Sequence, residues 1–215
     1  MLTLYGEANF DSPFVFTVFV ALLEKRVPFE LKVVDLARGE QRTPEFARRS
    51  LTARVPTIDD GDFSLSESLA IVEYLEDTRS APAPRLLPED LRQRARARQL
   101  LGWIRSSLHA LKNERPSSSM FFEPVHLPLR DAAKADVERL VRIGDTLLAK
   151  DAEFLFGGFS IADADLAFAL MRLVKNGDSL PERLRAYAER VWARPSVARF
   201  VSLERPGTAP VLGPF

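Results

Sequence analysis

Two stretches of this chain have residue types and an order that can do chemistry. The first is Arg54-Val55-Pro56-Thr57-Ile58. A proline at the mouth of a strand cannot donate to the ladder, so it marks an edge or a beginning. The peptide before it is the one kind for which cis geometry is readily accessible. A backbone turned in there offers the N–H and C=O of Val55 to a ligand. The second stretch is Glu67-Ser68, which opens a helix after Asp60-Gly61-Asp62 and Phe63-Ser64-Leu65. The N–H groups that begin a helix attract an anion. Together the two stretches can grip an extended peptide that carries a carboxylate. Upstream, Ser12-Pro13 has the form of an N-cap and a first-turn proline, with a hydroxyl at the start of another helix.

The elements that must position these residues follow from patterning. Leu2 to Tyr5 forms a short strand, and Gly6 to Asp11 a loop. Phe14 to Leu23 is an apolar run and a mostly buried helix, ended by Glu24-Lys25-Arg26. It is too short to span a bilayer, which takes about 20 apolar residues. Phe29, Leu31 and Val33 alternate with Glu30 and Lys32, the period of a strand. Thr43-Pro44 starts a short helix in the same style as Ser12-Pro13. Asp60-Gly61 signals a hairpin joining Thr57–Ile58 to Phe63–Leu65. Leu69, Ile71, Val72 and Leu75 give the next helix an apolar stripe. The order is β-α-β-α-β-β-α over residues 1–78. Residues 79–88 hold Pro82, Pro84 and Pro88 and form a linker.

Strand signals vanish over residues 89–215. Leu100, Ile104, Leu108 and Leu111 keep helical spacing as one long helix that Glu114-Arg115-Pro116 closes. Ala133, Val137, Leu140, Gly144 and Leu147 repeat the spacing, and residues 161–175, 181–193 and 196–203 are further helices. Ser160-Ile161-Ala162-Asp163 has the form of a capping box, a structural feature. Glu204 to Phe215 is read as an irregular tail. The chain has 215 residues and is 46% hydrophobic, enough for one large or two small cores. Net charge is zero, so nothing points to a nucleic-acid partner. No cysteine is present, which removes disulfides, thiolate metal sites and a cysteine nucleophile. The start of the chain lacks the basic and apolar regions of a signal peptide. His109 and His126 have no partner at metal-ligand spacing, so no metal is expected. No phosphate loop and no nucleophile elbow occurs. A cytoplasmic enzyme is the natural expectation.

The ordered set of Ser12, Val55-Pro56, Glu67-Ser68, the linker and Ser160-x-x-Asp163 resembles the glutathione S-transferase (GST) superfamily, in its bacterial Ser-type cytosolic form. Trp192-Ala193-Arg194-Pro195-Ser196-Val197 is similar to the family's last-helix start. The resemblance covers nearly the whole chain up to about Leu203. It implies an α/β thioredoxin-like domain (βαβαββα) that binds glutathione, followed by an all-α helical bundle, and a homodimer. It places the γ-glutamyl end of glutathione at Glu67-Ser68. Ser68 would bind the α-carboxylate and Glu67 the ammonium. Val55 would pair its backbone with the cysteinyl amide, and Pro56 would fix that shape. The glycine carboxylate would lie near Gln41, Arg42 and Arg54, where Gln41 departs from the family's frequent His. Plainer roles stay open: first-turn residues for Glu67-Ser68 and solvated surface for Arg42 and Arg54.

The same resemblance makes Ser12 a hydrogen-bond donor to the glutathione thiolate, against plain N-capping as the other role. Asn9 is a second-choice donor, and Tyr5 a candidate by residue type only. Phe10, Trp103, Ser107 and Arg115 are candidates for the acceptor pocket. The implied reaction is thiolate attack on a hydrophobic electrophile, with peroxide reduction as a side activity. A non-catalytic glutathione-binding stress protein and a maleylacetoacetate-type isomerase are the alternatives. Phe10-Asp11-Ser12 departs from the isomerase's Ser-Ser-Cys stretch.

Overall fold

The computed structural model describes residues 1–79 and 83–205. The strands are β1 Leu2–Glu7, β2 Phe29–Val34, β3 Thr57–Asp60 and β4 Phe63–Ser66. The helices are α1 Pro13–Glu24, α2 Pro44–Arg49, α3 Ser68–Thr78, α4 Leu91–Ser106, α5 His109–Glu114, α6 Asp131–Leu147, α7 Ile161–Lys175, α8 Glu182–Trp192 and α9 Pro195–Val201. The chain divides into two units. The first is Met1–Leu86 with residues 199–205, and the second contains Leu87–Ala198. Part of the proline-rich linker, Ser80 to Pro82, and the tail of residues 206–215 lie outside the described residues.

In the first unit the sheet order is β2-β1-β3-β4. β1 and β2 are parallel, and β3 and β4 are antiparallel to their neighbours. The period of two in β1 sorts its side chains. Tyr5 packs with Val34 and with Phe46 of α2, and Val55 lies against them. Leu4 and its register partner Ile58 face the other side and are fully buried. On that side α1 and α3 pack together. The apolar run of α1 is buried almost all round, from Val15 to Leu22. Gly6 lets it approach: a Cβ there would stand 2.9 Å from Val15 Cγ1. Phe200 extends this core, with ring centroids 5.3 Å from Phe16 and 5.4 Å from Phe19.

Polar groups lock the far end of the helix pair. Lys25 at the end of α1 meets Glu76 of α3 at 2.7 Å, with both side chains at most 5% exposed. Lys25 Nζ also donates to Arg79 O, and Glu76 accepts from Leu86 N–H. The hairpin turn is Gly61-Asp62, one residue later than Asp60-Gly61, because Asp60 already pairs with Phe63. Gly61 has φ +70°, a conformation glycine adopts without a steric penalty.

Among its described residues the second unit is built of helices, with one isolated β-bridge at Phe156–Gly158. Its centre is α7, buried from Ile161 to Leu173. The helical spacing from Leu100 to Leu111 runs across a break. Leu108 takes φ 61° between α4 and α5, so the stripe stays buried while the helix restarts. Lys112 Nζ reaches back to the carbonyls of Ile104 and Arg105 at the end of α4. The capping box at the start of α7 is formed. Asp163 accepts from Ser160 N–H (2.8 Å), Ser160 Oγ–H (2.7 Å), Leu155 N–H (2.8 Å) and Tyr187 O–H (2.9 Å). It therefore ties α7 to α8 and to the preceding loop, a wider role than the local cap read from the sequence.

Candidate functional site

Strand register gathers the candidate residues at one end of the sheet. Tyr5 pairs with Thr57, and Thr57 with Ser66. The exit of β1, the start of β3 and the end of β4 are therefore neighbours. The turn carrying Ser12 leaves the first, Val55-Pro56 leads into the second, and Glu67-Ser68 follows the third.

The Val55–Pro56 peptide is cis. The backbone of Arg54 is fully engaged: its N–H donates to Ser50 Oγ, and its C=O accepts from Ser50 Oγ–H and Thr57 Oγ1–H. Val55 differs from its neighbour. Its N–H and C=O have no hydrogen-bond partner among the described residues. Glu67 precedes α3 with φ 74° and ψ 115°, while its C=O accepts from Ile71 N–H. A non-glycine residue held there stores about 1–3 kcal/mol, which surrounding structure must offset. Its side chain makes no capping bond and is exposed. Ser68 is buried at the first position of α3.

Ser12 Oγ accepts from Phe14 N–H at 3.2 Å and Val15 N–H at 3.3 Å. It is thus the N-cap of α1, the plainer of its two expected roles. No described residue accepts its own O–H, so capping leaves the donor available. Two N–H groups on the oxygen also polarise that O–H. The turn before it is tightly held. Glu7 is 6% exposed, and its Oε1 accepts from Asp11 N–H (2.8 Å) and Ser12 N–H (2.9 Å). Phe10 takes φ 45°, and its C=O accepts from Arg205 (3.0 Å). Asn9 is half-buried in the same turn. Tyr5 is engaged elsewhere: its O–H donates to Asp59, which also holds Arg49 and Ser64.

Sequence reasoning missed Glu7, because a lone acid at a strand end looks like a loop residue. Burial pushes its carboxyl up from 4.5 to about 7. A buried acid with a raised pKa binds more protons folded than unfolded. The Glu7 contribution to stability is then greatest below about pH 4.5 and falls as pH rises to about 7, by about 3 kcal/mol. Glu7→Gln is expected to remove this fall. Urea unfolding at a series of pH values checks it through the difference between parent and variant; parallel curves would contradict it.

The remaining candidates fall apart into different settings. Gln41 sits in a 3-10 turn at Glu40–Arg42, with its Oε1 buried and lacking a hydrogen-bond partner. Arg42 and Arg54 are exposed. In the second unit, Trp103 lines a recess of about 270 Å³ between α4 and α6, with Leu100, Arg142 and Ile143. Ser107 ends α4. Arg115 is corrected as a pocket residue. It is 2% exposed, its guanidinium grips Asp178 through two bonds (2.6 and 2.8 Å), and it donates to Leu127 O. These bonds brace the loop after α5. Among the described residues, no group of His, Asp or Glu could hold a metal ion, and no helix is long and apolar enough to cross a membrane.

Comparison with known proteins converges on one family. The model "Glutathione S-transferase, N-terminal domain" matches residues 11–78, and "Glutathione S-transferase, C-terminal domain" matches residues 90–205. Human glutathione S-transferase theta-1 is 32% identical over 82% of this chain and 77% of its own length. A glutathione transferase homolog from Burkholderia, solved with bound glutathione, is 41% identical. It superposes with TM-score 0.78 over 93% of this chain and 96% of its own. Maleylacetoacetate isomerase from Methylobacterium extorquens AM1, solved with malonate and glutathione, is 32% identical. Its TM-score is 0.72 over 97% of this chain and all of its own. The α/β unit with its cis-proline strand start, the helical unit built on α7 and these matches agree: this chain belongs to the glutathione S-transferase family.

Proposed function

We propose that this chain is a glutathione transferase that holds glutathione at the Val55, Glu67-Ser68 end of its sheet. There it stabilises the thiolate with the Ser12 hydroxyl and delivers it to a hydrophobic electrophile. One observation carries the reading: Val55 keeps both backbone groups unpaired beside the starts of α1 and α3. That is what an extended peptide needs for one strand-like pairing. Bound glutathione in the Burkholderia and Methylobacterium relatives supports the ligand.

The chemistry is simple. A free thiol of pKa about 8.5 is only a few per cent thiolate at neutral pH. Ser12 Oγ–H donates to the sulfur, and the positive end of α1 favours its charge. The thiol proton leaves to solvent. The sulfur then forms a bond to the electrophilic carbon as the leaving group departs with its electron pair. Because the protein has no cysteine, peroxide reduction would use two glutathione molecules, giving alcohol, water and glutathione disulfide. Glu67 faces the ammonium and Ser68 the α-carboxylate. Gln41, Arg42 and Arg54 take the glycine end, where the unpartnered Gln41 Oε1 invites an N–H donor. Phe10, in the turn before Ser12, supplies an apolar contact to the acceptor. The protein acts in the cytoplasm as a homodimer, which solution mass would test.

Calorimetric titration with glutathione tests the site. Saturable one-to-one binding is expected, and none would overturn the reading. Glu67→Gly separates strain from function. It should raise stability by about 1 kcal/mol by relieving the positive φ, and weaken glutathione binding by about tenfold through loss of the charged partner. Unchanged affinity would remove Glu67 from the site.

A further inference from the structure

Glu7 is buried and bonded to the Ser12 turn, yet the proposed reaction leaves it without a role. Its carboxylate does something unusual for a strand-end acid. One oxygen, Oε1, accepts two successive backbone N–H groups, those of Asp11 and Ser12. The other, Oε2, is buried with no hydrogen-bond partner among the described residues. The fork spans the turn from inside. From outside, Arg205 donates to Phe10 O and anchors itself on the carbonyls of Phe200, Val201 and Leu203. Phe10, held between them, is in the left-handed region at φ 45°. Two other charges act on Glu7. The Asp11 carboxylate disfavours its ionised form, and the Arg205 guanidinium attracts it.

We infer that Glu7 is a positioning residue for the reaction: its Oε1 fixes the Asp11-Ser12 backbone so that the Ser12 hydroxyl meets the sulfur of bound glutathione. The inference rests on the reading of Ser12 as thiolate donor. Geometry explains why such a residue is needed. Ser12 Oγ accepts two N–H bonds of more than 3 Å from the helix, and these alone tolerate some movement of the Ser12 backbone. Anchoring its N–H removes that freedom. A misplacement of about 1 Å in a reacting group can lower the rate about 100-fold. Glutathione affinity depends instead on Val55, Glu67 and Ser68, whereas the Glu7 carboxylate bonds to Asp11 and Ser12. A positioning defect should therefore fall on kcat and spare KM.

The test uses conjugation kinetics with a chloronitrobenzene electrophile and the full-length protein. Glu7→Leu removes the acceptor and is expected to lower kcat by 10- to 100-fold with little change in the glutathione KM. Glu7→Gln keeps an acceptor oxygen of the same reach and should recover most of that loss. In the Ser12→Ala background Glu7→Leu should change kcat by less than about twofold, because the group it positions is gone. Should Glu7→Leu fail to fold, Glu7→Asp shortens the reach by one methylene and should still lose kcat by about tenfold. A folded Glu7→Leu or Glu7→Asp with parental kcat overturns the inference. So does an equal loss in both backgrounds. A Ser12→Ala protein with parental kcat overturns the underlying Ser12 reading, and that result is separate from either Glu7 outcome.

Discussion

Ser12→Ala is expected to lower kcat/KM for conjugation by about 10- to 100-fold, the range for losing one donor to a developing or stabilised anion. Glutathione affinity should stay within a few-fold, because Val55, Glu67 and Ser68 are untouched. Ser12 has one observed role, as an N-cap, and one proposed role, and two substitutions separate them. As an N-cap it accepts from Phe14 and Val15 N–H, and its loss to alanine should cost about 1 kcal/mol of stability. Glycine at an N-cap costs only a few tenths. Ser12→Gly should therefore be nearly as stable as the parent yet as slow as Ser12→Ala. If Ser12→Gly keeps parental turnover, the hydroxyl is a cap and nothing more. Thermal unfolding and conjugation rates on the same preparations check both halves.

The second large effect is on stability. Asp163→Ala is expected to lose about 3–5 kcal/mol in urea unfolding. Four donors converge on this carboxylate from the loop before α7, from Ser160 and from Tyr187 of α8. Removing it leaves buried N–H and O–H groups without acceptors, and each carries its own desolvation penalty. Burial pushes the Asp163 carboxyl up, while the four donors act in the opposite direction. Natural domains have about 5–15 kcal/mol in total, so the loss is a large share. Tyr187→Phe removes one donor and leaves the other three, and should lose only about 1 kcal/mol. A loss below about 1 kcal/mol for Asp163→Ala would show that the network is not what holds α7 to its loop.

Local chemistry was legible in the sequence. Ser12-Pro13, Thr43-Pro44 and Ser160-x-x-Asp163 announce helix starts, because capping depends on neighbours a few residues away. Val55-Pro56 announced the start of β3, and the hairpin signal needed a shift of one residue only. What stayed hidden depends on distance or on backbone conformation. Lys25 and Glu76 give no sign of one another, since their pairing follows from the packing of α1 on α3. The break at Leu108 is invisible to periodicity, because Leu100, Ile104, Leu108 and Leu111 are all buried on both sides of it. Arg115 looked like a pocket cation because Asp178, its buried partner, is remote in sequence. Glu7 and the positive φ of Glu67 were missed for a related reason. Nothing in residue type shows that a strand-end acid is buried, or that a glutamate is held where glycine is at ease.

In the proposed function this site makes glutathione a better nucleophile. The most direct measurement follows the ultraviolet absorbance of the bound thiolate as pH is varied. Saturable binding is expected, with a thiol pKa at least one unit below the free value of about 8.5, rising back toward it in Ser12→Ala. Binding with an undisplaced pKa would contradict it and leave a protein that holds glutathione without activating it.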